Sequence, residues 1–127
     1  MSDKKRILVV DDEPDFASLV QGNLEKEGFD VDVAFNGVEG LEKVQANPPD
    51  AIVLDVMMPD VSGLEVLRFM RQEPNLQNIP VVLVSAKSMP SDIKKGMDAG
   101  ASRYLTKPFS FLDLKNTVDE LVLARNL

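Results

Sequence analysis

Ala51-Ile52-Val53-Leu54-Asp55-Val56-Met57-Met58-Pro59 is the stretch on which the reading of this 127-residue chain turns. Four apolar residues run without a break into one carboxylate. Pro48-Pro49-Asp50 stands before them, and Pro59-Asp60 follows. A short apolar run bounded by turn residues reads as a strand buried on both faces, which belongs in a parallel sheet covered by helices. Ligands of open parallel sheets bind beyond the carboxyl ends of the strands, where Asp55 stands. Burying a charge is costly unless it is paired or metal-bound, so Asp55 needs partners from elsewhere in the chain.

Outward from this strand the pattern repeats. Ile7-Leu8-Val9-Val10 runs into Asp11-Asp12-Glu13, Val81-Val82-Leu83-Val84 into Ser85-Ala86, and Arg103-Tyr104-Leu105-Thr106 into Lys107-Pro108. Val31, Val33 and Phe35 alternate with Asp30, Asp32 and Ala34, as in a half-exposed strand near a sheet edge. Between the strands, helical spacing recurs. It marks Phe16, Leu19, Val20 and Leu24 after Pro14, then Val38, Leu41 and Val44 after Asn36-Gly37. Leu64, Val66, Leu67, Phe69 and Met70 form a third stripe, and Ile93 and Met97 a fourth. Phe111, Leu114, Val118, Leu121 and Val122 carry the last helix. Gly28 suits a helix C-cap, and Ser110 with Asp113 resembles a capping box. Five strands alternating with five helices predict an α/β fold, a three-layer, doubly wound, five-stranded parallel sheet with right-handed crossovers. For so short a chain the expected order is the flavodoxin-like 2-1-3-4-5, with strands 1 and 3 adjacent.

Composition narrows the chemistry. The length suits one domain, taken as residues 1–127 with a core of about 5–124. A net charge of -7 argues against direct nucleic-acid binding. With no cysteine and no histidine, thiolate sites, His-ligated zinc and His-based triads are excluded. No stretch is long and apolar enough for a membrane span, and the charged start Met1–Arg6 does not read as a signal peptide. A cytoplasmic protein without membrane contact is the expectation. Lys4-Lys5-Arg6 reads as a solvated start.

Adjacent strands 1 and 3 would bring Asp11, Asp12 and Asp55 into one cleft. Three like charges require a cation, and an oxygen-only donor set suits a hard one, Mg²⁺ in the first place. Lys107 adds a positive charge and Ser85 a hydroxyl. An anion fits between them, and a carboxylate beside it can attack phosphorus. Taken singly, each residue has a plainer reading. Asp12 would be a helix cap, Ser85 a loop hydroxyl, Tyr104 a packing residue, Met57 loop packing and Pro108 a strand stop.

In order and at this spacing, these pieces resemble the receiver domain of two-component response regulators, similar to the chemotaxis response regulator, over residues 5–124. The matching motifs are the run from Ile7 to Glu13, that from Val53 through Pro59 to Gly63, Val84-Ser85-Ala86-Lys87, and that from Asp98 through Gly100, Tyr104 and Lys107-Pro108 to Phe109. The resemblance implies that Asp55 accepts a phosphoryl group from a histidine kinase or phosphotransfer protein. It implies that Asp12 ligates Mg²⁺ directly, Asp11 largely through water, and Met57 through its backbone carbonyl. Lys107 would pair with the phosphoryl group, Ser85 and the Ala86 N–H would hold its oxygens, and Tyr104 would swing inward as Ser85 moves. The Lys107–Pro108 bond would be cis. Activation would remodel the face of helix 4, strand 5 and helix 5, read by an output domain or partner protein. Such a chain is a signalling domain that promotes its own phosphorylation and dephosphorylation, not an enzyme. Family members tune phosphate loss through positions 57 and 87, where Met57 cannot orient a water and Lys87 can crowd the phosphoryl group.

Three other functions compete. A flavin-binding fold of this order wants a Ser/Thr/Gly-rich loop after strand 1, where this chain has Asp11-Asp12-Glu13-Pro14-Asp15. A haloacid-dehalogenase-type phosphatase wants a second aspartate two residues after the first, where Met57 stands. The alternative closest to the main reading is a receiver-like protein-binding module that is not phosphorylated; its usual sign, loss of an acid or of the lysine, is missing here.

Overall fold

A computed structural model describes residues 4–125; residues 1–3 of the charged start lie outside the described part. The elements follow in strict alternation. They are β1 (Arg6–Val10), α1 (Pro14–Lys26), β2 (Asp30–Ala34), α2 (Gly37–Ala46), β3 (Ala51–Asp55), α3 (Gly63–Gln72), β4 (Val81–Ser85), α4 (Pro90–Asp98), β5 (Arg103–Thr106) and α5 (Phe111–Arg125). The five strands form one sheet in the order β2-β1-β3-β4-β5, every pairing parallel, as the sequence predicts.

The apolar strands are continuous because each feeds two cores. Ile7 and Val9 of β1, Val53 of β3, and Val82 and Val84 of β4 face α1 and α5. Leu8 and Val10, Ile52 and Leu54, and Leu83 face the opposite side with residues of α2 and α3. Successive side chains of a strand point to opposite faces, so a strand covered on both sides has no polar position until it ends. Each fully buried Val, Leu or Ile contributes about 1.5–3 kcal/mol.

Four apolar residues expected to pack inward do not. Leu19, Phe35, Val38 and Met97 are exposed. In α1 the inward line is Ala17, Val20 and Leu24, which turns Leu19 away. β2 ends at Ala34, leaving Phe35 beyond the sheet. In α2 and α4 the inward positions include glycine. A Cβ at Gly40 would stand 3.0 Å from Val10, and one at Gly96 2.8 Å from Leu83 and 2.9 Å from Tyr104. These helices approach the sheet through residues without side chains, so a search for apolar spacing picks their neighbours Val38 and Met97 instead. Arg6 also departs from the solvated-start reading. Its guanidinium donates to Asn47 Oδ1 and to the carbonyls of Asn47 and Pro48, closing the α2–β3 connection.

Candidate functional site

The carboxyl ends of β1, β3, β4 and β5 open on one edge of the sheet. β1 delivers Asp11 and Asp12 and β3 delivers Asp55. One carboxylate oxygen from each lies within 4.8 Å of the other two, the only such acidic group among the described residues. Asp11 and Asp55 are buried, 1% and 4% exposed. Asp12 is more open and is not the cap of α1, a position held by Glu13.

The two buried carboxylates are held. Asp11 Oδ1 accepts the Glu13 N–H at 2.9 Å. Asp55 accepts the Met57 N–H. Lys107, just past β5, reaches Asp11 Oδ2 at 3.4 Å and Asp55 Oδ1 at 3.8 Å. Its ammonium also lies 4.3 Å from the centroid of Phe16, whose ring meets Phe109 edge-on at 5.9 Å. The attraction of a cation to an aromatic face and the pull of two carboxylates thus both act on the Lys107 ammonium. The Lys107–Pro108 peptide is cis, as the resemblance implies. Burial, and then the neighbouring Asp11, push the Asp55 carboxyl up to about 6, while Lys107 and the Met57 N–H pull the other way. One lysine does not offset three carboxylates at this spacing.

The remaining expected residues surround this pocket. Ser85 ends β4, is buried, and accepts the Lys87 N–H at 3.1 Å. Ala86 follows it at the surface. The Tyr104 hydroxyl donates to the Lys87 carbonyl at 2.8 Å, and its ring lies against Gly96 of α4. The Met57 side chain is exposed and, with Lys87, lines a groove of about 470 Å³ beside the β3–α3 loop. The sequence gives no signal for two further contributors. Phe16 sits at helical spacing and reads as core, yet its ring faces an ammonium. Asp60 reads as a turn residue, yet its carboxylate accepts the N–H groups of Gly37 at 3.1 Å and Val38 at 3.0 Å, at the start of α2.

A doubly wound α/β domain with an oxygen-only acidic pocket and one lysine at the end of its sheet is a narrow class. Residues 7–119 match the family model described as the response regulator receiver domain, and the chain belongs to that family, the signalling domain of two-component regulatory systems. Among its relatives, the alkaline phosphatase synthesis transcriptional regulatory protein PhoP of Bacillus subtilis is 45% identical over 106 residues, 84% of this chain and 43% of that protein. The receiver domain of the Francisella response regulator 1452 superposes with a TM-score of 0.91 at 34% identity, covering 96% of this chain and 99% of the other. The Vibrio cholerae chemotaxis protein CheY4 superposes with a TM-score of 0.88 at 29% identity, covering 93% and 98%. The chain spans about half the length of the curated relatives it matches. None of the helices among the described residues is long and apolar enough to cross a membrane.

Proposed function

We propose that this chain is a phosphoacceptor receiver working in the cytoplasm, in which Asp55 takes a phosphoryl group from the phosphohistidine of a sensor kinase or phosphotransfer protein. The observation that carries the reading is the convergence of three aspartate oxygens within 4.8 Å of one another beside a lysine held 3.4 and 3.8 Å from two of them. An Asp55 oxygen attacks phosphorus in line, the P–N bond breaks, and the leaving imidazole nitrogen keeps the electron pair and takes a proton. Lys107 neutralises charge on the transferring oxygens, which is where phosphoryl transfer needs its stabilisation. Ser85 and the Ala86 N–H supply donors to the product oxygens.

The donor set fits Mg²⁺. It is all oxygen, and it sets three carboxylates against the single ammonium of Lys107. Asp11, Asp12, Asp55 and the Met57 carbonyl are the groups that would hold the ion. Bound there, Mg²⁺ supplies charge neutralisation for phosphate oxygens and carboxylates together. Tyr104 and the α4–β5–α5 face transmit the modification to an output domain or partner protein, without direct nucleic-acid or membrane contact by this domain. The domain promotes its own phosphorylation and dephosphorylation and is not an enzyme toward a separate substrate.

The test is intact mass after incubation with acetyl phosphate, with and without Mg²⁺, on the wild type and Asp55→Ala. One phosphate adduct that requires both Mg²⁺ and Asp55 is expected. The absence of an adduct under every condition would favour the protein-binding module that is not phosphorylated.

A further inference from the structure

We propose that Asp60 is a positioning residue for Asp55, acting through the β3–α3 loop; this rests on the phosphoacceptor reading. The loop covers residues 56–62. Its first residue is tied to the sheet through the Val56 N–H on the Val84 carbonyl at 3.1 Å. Its far end returns as the Gly63 N–H meets the Val56 carbonyl at 2.9 Å, and Ser62 caps α3. Between these ends lies Met57, whose N–H holds the Asp55 carboxylate.

Asp60 anchors the middle of the loop. Its two oxygens take the Gly37 and Val38 N–H groups, one each, so the loop is clamped to the start of α2. Contact there is close: a Cβ at Gly37 would run into the Val61 carbonyl oxygen. Backbone N–H groups, that of Val38 first, hold the Asp60 carboxyl below the usual carboxylate range, so the clamp stays charged at neutral pH. Asn36 already satisfies the Glu39 N–H of this helix, so α2 has its own cap. Asp60 adds a hydrogen-bonded tie between two connections that otherwise meet only by backbone packing at Gly37 and Val61. Without the clamp, the span from Met57 to Val61 gains freedom, and the N–H that orients Asp55 moves with it.

Two measurements on the purified chain test this, using Asp60→Ala and Asp60→Asn. The asparagine variant retains one of the two acceptor oxygens for α2 and puts an NH2 where the other accepted. Amide hydrogen exchange at Met57, read without phosphate or metal, is expected to accelerate several-fold in Asp60→Ala, with Val56 unchanged, and to lie between wild type and Asp60→Ala in Asp60→Asn. Acetyl phosphate labelling against Mg²⁺ concentration is expected to need several-fold more Mg²⁺ for half-maximal rate in Asp60→Ala, with the rate at saturating Mg²⁺ little changed. Unchanged Met57 exchange in Asp60→Ala overturns the clamp. A wild type that exchanges as expected but takes no phosphate overturns the phosphoacceptor reading, and with it the role proposed for Asp60.

Discussion

At Asp55, burial and two neighbouring carboxylates act against the ionised form, and one lysine and one N–H act for it. A carboxyl near pH 6 in the folded chain, against an ordinary value of 3.8, means that the folded state binds the proton more tightly than the unfolded one. The cost of folding with Asp55 ionised is therefore complete above about pH 6 and is relieved as pH falls through that value towards 4. Without divalent cations, Asp55→Asn is expected to stabilise the fold by about 1 kcal/mol or more at pH 7.5, with the gain shrinking by pH 5. Thermal melts at the two pH values read this directly; a variant that melts lower than wild type at pH 7.5 would contradict the convergent-carboxylate picture. Met57 sets a second expectation. Its side chain is exposed beside the site and offers no hydrogen bond to orient an attacking water. Met57→Asn is expected to speed phosphate loss from Asp55 several-fold, followed by mass spectrometry after removal of the donor; an unchanged or slower decay would refute it.

Between elements, Arg71 of α3 does what no strand pairing does. Its guanidinium donates to the carbonyls of Gly100 at 2.9 Å, Ile79 at 2.8 Å and Gln77 at 3.2 Å. It thereby joins the end of α3, the connection into β4 and the turn between α4 and β5. Burial lowers its pKa, yet an arginine stays charged in proteins. Arg71→Ala leaves these carbonyls without their donor, and a loss of about 2 kcal/mol is expected in denaturant melts. Arg71→Lys should recover only part of it, because one ammonium does not reproduce the planar fork. The helices also mark where sequence reading stops. Strand ends at Asp11, Asp55 and Ser85 were legible because each apolar run breaks at a polar residue, while the mixed strand Arg103–Thr106 was marked by the Lys107-Pro108 pair that stops it. The inner lines of α2 and α4 were not, because Gly40 and Gly96 carry no apolar signal and their role appears only when the sheet lies against them.

Across the whole molecule, the fold was legible because alternation of apolar runs with helical stripes leaves few topologies for a short chain. The pocket was legible in outline because a parallel sheet gathers its carboxyl ends on one edge. The support around it was not: Phe16 beneath Lys107 and Asp60 on α2 depend on which surfaces meet after folding, and local spacing carries no record of that. The parallel order has a temporal consequence. Arg6 pairs with Asp30 and Ile7 with Ala51, while Val82 waits for Arg103. A ribosome therefore releases all three carboxylates of the pocket long before Lys107. A nascent chain that has closed only β1, β2 and β3 carries the acidic cluster without its lysine, and the last strand to dock is the one that brings the balancing charge.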